Sequence, residues 1–143
     1  MPDLGKARPS SHPGVWWLLT RYTATPYSEI VIAEIVSLSA YESQVSALLG
    51  EQERMAMEFF IASAPEDHPV IAGAGGFRKA RWARRGSGKS GGVRVIYFFL
   101  AEPGRIYMAA IYAKSRKDTL SAADRNVLLK LAAEIKKAAK GGR

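Results

Sequence analysis

The chain has 143 residues, 48% hydrophobic and 24% charged, a length and balance that suit one globular domain built on a single core. It has no cysteine and only two histidines, His12 and His68, so disulfides and thiolate metal sites are excluded and a histidine-centred metal site or triad is hard to build. The net charge of +8 is unevenly spread, net −7 over residues 28–67 and net +13 over residues 70–143. Such a division suggests an anionic partner for the second half, usually nucleic acid, with a basic surface kept for solubility as the plain alternative.

Residues 1–28 are rich in Pro, Ser, Gly and Thr and read as an irregular leader, with a domain over 29–140. The apolar run VWWLL at 15–19 is too short for a membrane span of about 20 residues and for a signal-peptide core. A cytoplasmic chain without membrane contact is expected. The β-branched residues Ile30, Val31, Ile32, Ile35 and Val36 predict a first strand over 29–38. Ser39 and Glu42 have capping-box spacing and predict a helix over 40–49, stopped by Gly50. A second helix over 51–64 has Met55, Phe59 and Ile61 as apolar positions and ends before Pro65. The two form an acidic helical hairpin that either packs against a sheet or serves a protein partner.

The pattern then changes. Val70 and Ile71 form a short extended piece, and Gly73, Gly75 and Gly76 a turn. A strand is predicted over 77–83, a basic glycine-rich loop over 84–92, and strong strands over 93–100 and 105–113 around the turn Glu102-Pro-Gly104. Ser121 and Asp124 cap a last helix in which Val127, Leu128, Leu131 and Ile135 recur at helical spacing. Strand, helical hairpin, antiparallel meander and C-terminal helix together make an α+β domain.

The densest chemical feature spans residues 77–94, with Arg78, Lys79, Arg81, Arg84, Arg85, Lys89 and Arg94 and no acid between Asp67 and Glu102. Strand alternation puts Lys79 and Arg81 on one face, about 6–7 Å apart. Arg94, across the loop, joins them if the register allows. Phosphate is the natural ligand of such a cluster, since arginine grips it with paired hydrogen bonds. A solvated hairpin that only touches a nucleic-acid backbone is the bland reading, with about equal weight. Gly88-Lys89-Ser90 is not a phosphate loop, because the required earlier glycine is Ala83 and a strand follows instead of a helix. Tyr112 and Lys114 share parity at the end of the last strand, whereas Tyr97 and Tyr107 read as packing.

No metal or cofactor is expected. A nuclease built from these residues has to work with Lys, Arg and Tyr, and RNA makes this feasible because its own 2′-hydroxyl is the nucleophile. A lysine whose pKa is lowered by cationic neighbours takes the proton, and arginines stabilise the phosphorane.

The motifs GGFRKAR (75–81), GSGKSGGVRVIYFF (86–99), GRIY (104–107), IYAK (111–114) and DTLS (118–121) resemble, in this order, the HigB-type branch of the RelE/ParE toxin superfamily. The resemblance covers about residues 30–137. It implies a compact α+β fold with a mostly antiparallel sheet flanked by helices, and a ribosome-dependent endoribonuclease that cuts mRNA. It further implies a partner antitoxin, often with a helix-turn-helix domain of the HigA kind. The family's basic pair falls on Lys79 and Arg81, its arginine before the Val-Ile-Tyr strand on Arg94, and its lysine after the last strand on Lys114, beside Tyr112. The implied roles are Lys79 or Lys114 as proton acceptor, Arg81 and Arg94 as phosphate stabilisers, and Tyr112 as a base-stacking or proton-handling group. Arg78, Arg84, Arg85, Lys89 and Arg116 would hold RNA. The arginine and C-terminal tyrosine of classical RelE toxins are replaced by Ser115 and Ser121, with Arg116 close by. The competing expectations are a ParE-like toxin that binds DNA gyrase and cuts nothing, and a non-catalytic RNA-binding remnant.

Overall fold

The computed structural model describes residues 8–9, 33–84, 92–116 and 119–141. The elements in chain order are β1 (Arg8–Pro9), β2 (Glu34–Ser37), α1 (Ser39–Leu48), α2 (Glu51–Ser63), β3 (Arg78–Trp82), β4 (Val93–Leu100), β5 (Arg105–Ala113) and α3 (Ala122–Gly141). They build an α+β fold on one mixed sheet with the strand order β1-β2-β5-β4-β3. The meander β3-β4-β5 is antiparallel, and β2 joins it by parallel pairing with β5, Ser37 opposite Met108. β1 pairs antiparallel with β2, so the segment read as leader adds two residues to the sheet's edge; the rest of it, and the first part of the expected 29–38 strand, lie outside the described residues.

Alternation along β4 gives the sheet two buried faces. Val93, Val95 and Tyr97 point to one side and pack with Tyr41 and Val45 of α1 and Met57 and Ile61 of α2. Ile96 and Phe98 point to the other and pack with Leu128, Leu131, Ala132 and Ile135 of α3. Each Leu or Ile buried in this way contributes about 1.5–3 kcal/mol, so the hairpin and α3 clamp the sheet from both sides. Opposite the unbroken β4, β5 carries one extra residue: Ile96 faces Ala110, whereas Tyr97 faces Met108. Ala109 is therefore a β-bulge, and it inverts the parity of everything after it. Ile106, Met108 and Ile111 face the hairpin, while Tyr107, Ala109 and Tyr112 face α3.

Four local expectations are corrected. Ser39 does not cap α1; it is the first helical residue, the cap position is Leu38, and the Glu42 carboxylate turns to Arg54 instead. Gly50 begins α2 as its cap in an extended conformation instead of ending α1. In α2 the buried positions are Met57, Ile61 and Ala62 together with the charged Arg54 and Glu58, while Met55 and Phe59 are only partly buried. At α3 the expected reciprocal cap is present, Ser121 N–H donating to Asp124 Oδ2 at 3.0 Å and Asp124 N–H to Ser121 Oγ at 3.1 Å. Val127, however, is exposed and Ala132 is buried in its stead. Among the described residues, no helix is long and apolar enough to cross a membrane.

Candidate functional site

The register of the meander brings the chemistry together. Arg81 of β3 stands opposite Arg94 of β4, and Arg94 opposite Tyr112 of β5. The three form one row across three strands on the α3 side, with neighbouring Cβ atoms about 4.5–5.5 Å apart. One step along the strands the next row on this face is Lys79, Ile96 and Ala110. Arg81 is exposed, Lys79 and Tyr112 are half-buried, and Arg94 is only 5% exposed. The row thus runs from a solvent-facing cation at the sheet's edge to a guanidinium within the sheet and then to a phenol. Gly92, just before β4, lets the backbones close here: a Cβ on it would lie 3.3 Å from the Trp82 carbonyl oxygen and 4.0 Å from Arg94 Nη1.

Lys114 lies just past β5 and is exposed, and its N–H donates to the Gly92 carbonyl at 3.0 Å, continuing the β4–β5 ladder by one residue. The lysine is therefore held at the end of the strand that carries Tyr112. Arg116 is exposed in the following turn. Arg78 has the opposite parity to Lys79 and Arg81, and its Nη1 donates to the carbonyls of Glu66 (3.0 Å) and His68 (2.7 Å), so it ties down the loop before β3. Arg84 is half-buried beyond the end of β3. Arg85 and Lys89, with the Gly88-Lys89-Ser90 stretch, lie outside the described residues. Tyr97 and Tyr107 are core residues. The Tyr97 hydroxyl donates to the Pro65 carbonyl at 2.6 Å, and burial pushes its pKa up to about 12, so it is spent on structure.

A cleft opens beside the row. One part, of about 300 Å³, lies between α1, β5 and α3, with Ile96, Ala109, Ala110 and Leu128 among its walls and Gln44, Tyr112 and Asp124 as polar groups. A second part, of about 500 Å³, continues from Gln44 and Tyr112 to Ser43 and Arg116. Reasoning from sequence missed Gln44. β2 ends at Ser37, so among the described residues the ladder edge of β5 beyond Met108 has no neighbouring strand, and Gln44 Oε1 accepts the Ile111 N–H there at 3.2 Å. A polar residue on an exposed helix turn carries no sequence signal for that role.

Behind the site, under the hairpin, lies a buried ionic network. Arg54 donates from Nε to Glu58 Oε2 (2.9 Å), and from Nη2 to Glu42 Oε1 (2.6 Å) and Ser37 Oγ (3.2 Å). Tyr41 donates to the same Glu58 oxygen at 2.6 Å. Burial, reinforced by the Glu58 carboxylate, holds the Tyr41 hydroxyl well above its ordinary pKa. Burial alone would lower the Arg54 pKa, but the two carboxylates outweigh it and the net shift is upward. The network joins β2, α1 and α2 and so fixes where α1 places Gln44. His68 lies in an aromatic cluster with Phe60 (5.2 Å between ring centres) and Tyr97 (6.0 Å), and burial lowers its pKa.

Among the described residues, no group of three or more His, Cys, Asp or Glu side chains is placed to hold a metal ion. What the face offers is a graded set of cations, a phenol and a cleft, which suits binding a phosphodiester and stabilising charge on it. Residues 71–141, from the loop before β3 to the end of α3, match the family model of the RelE toxin of the RelE / RelB toxin–antitoxin system, and with the α+β fold this match supports a place for the chain in the RelE/ParE-type toxin superfamily.

Proposed function

We propose that the protein is the toxin of a type II toxin–antitoxin pair, of the HigB kind, and that it inhibits translation as a ribosome-dependent, metal-independent endoribonuclease cutting mRNA in the cytoplasm. Its partners on this reading are the ribosome, mRNA and an antitoxin of the helix-turn-helix, HigA-like kind. The observation that carries the reading is the row Arg81–Arg94–Tyr112, with Lys79 on the same face and Lys114 at the end of the Tyr112 strand.

In the reaction, the 2′-hydroxyl oxygen attacks the adjacent phosphorus and its proton passes to the unprotonated amine of Lys79 or Lys114, the form that can accept it. Arg81 and Arg94 take up the charge that grows on the non-bridging oxygens. The bond to the 5′ oxygen breaks, that oxygen takes a proton from the Tyr112 hydroxyl or from water, and a 2′,3′-cyclic phosphate remains. Tyr112 stacks a base or hands over a proton. Arg94 is buried, so its charge is little screened and costs no reorganisation when the phosphorane forms. Arg81 and Arg116 draw the strand in from solvent.

The test is induction of the wild type, Arg81→Ala and Arg94→Ala in a bacterial host with mapping of mRNA 5′ ends. Arg81 is exposed, so its replacement leaves the fold intact if the buried Arg94 proves structural. Removing one transition-state donor lowers the rate about 10²–10³-fold. The expected result is growth arrest with new in-frame cuts that both variants lose, and no cutting without ribosomes. Arrest with intact mRNA and damaged chromosomes would identify a gyrase inhibitor instead. No arrest at all would leave a binding remnant.

A further inference from the structure

We propose that the cleft beside Tyr112 holds a nucleobase of the RNA next to the scissile phosphate, and that Gln44 reads this base by donating from its side-chain amide. The inference rests on the ribonuclease reading for the phosphate site but adds a specificity site to it.

The first argument is position. The cleft shares Tyr112 with the Arg81–Arg94 row, and its floor, Ile96 and Ala110, is the next row of the same sheet face. A phosphodiester held by the two arginines therefore has one attached nucleoside directly over the opening. The second is shape and polarity. About 300 Å³ lined mainly by small and aliphatic side chains, with few polar groups, is at the small end of ligand pockets. A planar heterocycle fills it, and its flat faces suit the alanines of β5 and the ring of Tyr112. The third is charge. Arg116 lines the far end of the cleft, where it faces the polyanionic chain that carries such a base, and Asp124 is the one acid of the walls, on the α3 side.

The fourth argument concerns Gln44 itself. Its Oε1 accepts the Ile111 N–H, and a backbone N–H can only donate, so the orientation of the amide is settled by chemistry. The Nε2 group, with two donors, is thereby left for a ligand, and Gln44 lines both parts of the cleft. A fixed pair of donors selects a base edge that presents acceptors, such as the O6 and N7 of guanine or the O2 and N3 of cytosine, over one that presents an amino group. Gln44 thus does two jobs with one amide, accepting a ladder N–H of β5 and offering the opposite end to the ligand.

The discriminating variant is Gln44→Glu. A carboxylate oxygen still accepts the Ile111 N–H, so the thermal unfolding of the variant should match that of the wild type, but both donors are gone. Gln44→Ala is the companion variant, free of the added charge. Two measurements are made. One is fluorescence anisotropy of four short RNA oligonucleotides that differ in a single central base. The other is the base preference at mapped mRNA 5′ ends. Wild type should prefer an acceptor-rich base by about tenfold, and both variants should flatten that preference in both measurements. Equal wild-type affinity for all four oligonucleotides would overturn the proposal and leave the groove to a side chain of a protein partner. A preference that both variants keep within twofold would also overturn it, while leaving the ribonuclease reading intact. Base-selective binding that depends on Gln44, in a protein that cuts no mRNA, would support the cleft and sink the ribonuclease.

Discussion

Arg54→Met tests whether the buried network sets the architecture under the site. Arg54 is 3% exposed and Glu58 is fully buried. The substitution keeps most of the apolar stem but removes the bonds to Glu58, Glu42 and Ser37. Glu58 is then a buried carboxylate held only by the Tyr41 hydroxyl, and its Oε1 has no hydrogen-bond partner among the described residues to begin with. Removing one member of a buried pair in this way costs about 3–5 kcal/mol. At about 3 °C per kcal/mol for a chain of this size, Tm falls by roughly 10–15 °C. The double variant Arg54→Met, Glu58→Gln removes the stranded charge and keeps an acceptor for Tyr41, so it should recover about 2 kcal/mol of the loss. The assay is a double-mutant cycle by urea unfolding followed by circular dichroism. A single-variant cost below about 1 kcal/mol, or a coupling below about 0.5 kcal/mol, would refute the reasoning.

Two further perturbations probe the scaffold. Gly75 has φ +72 and lies against α3, where an added Cβ would sit 2.8 Å from Ala132 Cβ and 3.2 Å from Leu129 Cδ1. Gly75→Ala should therefore destabilise by about 2–4 kcal/mol, combining left-handed strain with overpacking, whereas Gly50→Ala, with open space around it, should stay within about 1 kcal/mol on the same unfolding curve. The pKa of His68 is lowered by burial, so the unfolded chain binds the proton more readily than the folded one. Stability from this site is then present above the ordinary histidine pKa of about 6.5 and is lost as pH falls from there through the lower folded value. Urea midpoints at pH 7.5 and 5.5 should differ more for wild type than for His68→Gln; an identical difference would exclude His68 as the source.

The legible and illegible parts of the fold divide along physical lines. β4 and β5 were predicted to the residue, because dense β-branched and aromatic residues between glycine turns leave no other reading. α3 was announced by its cap and by Leu128, Leu131 and Ile135. The face shared by Lys79 and Arg81 follows from alternation alone, since no irregularity interrupts β3. Pairing partners leave no trace in periodicity, so neither the parallel β2–β5 contact nor the Arg81–Arg94 register was readable. Arg54 and Glu58 were hidden for another reason: an i,i+4 pair of opposite charges normally marks a solvated face, and here the same spacing places both inside.

The parity of the site turns on the bulge at Ala109. Were all nine residues of β5 in regular alternation, the parity that sends Tyr107 to the α3 side would send Tyr112 to the hairpin side, among residues packed on Tyr41 and Val45. The bulge costs the sheet one regular ladder step, and it sits where β5 loses its β2 neighbour and the cleft begins. Bulges recur where a strand has to re-aim a side chain. Deleting Ala109 tests this directly, because it removes only the extra residue. The ladder becomes continuous with Ile96 still opposite Ala110, Val95 opposite Ile111 and Arg94 opposite Tyr112, so the row and the Ile111 N–H that Gln44 accepts keep their places. The irregular ladder step is gone while the parity of Tyr112 is unchanged. The deletion variant should therefore stay folded by far-UV circular dichroism and cut mRNA within about tenfold of wild type, in contrast to Arg94→Ala. A folded deletion variant that loses cleavage as far as Arg94→Ala would refute the register argument and show that the local shape of the bulge itself builds the site.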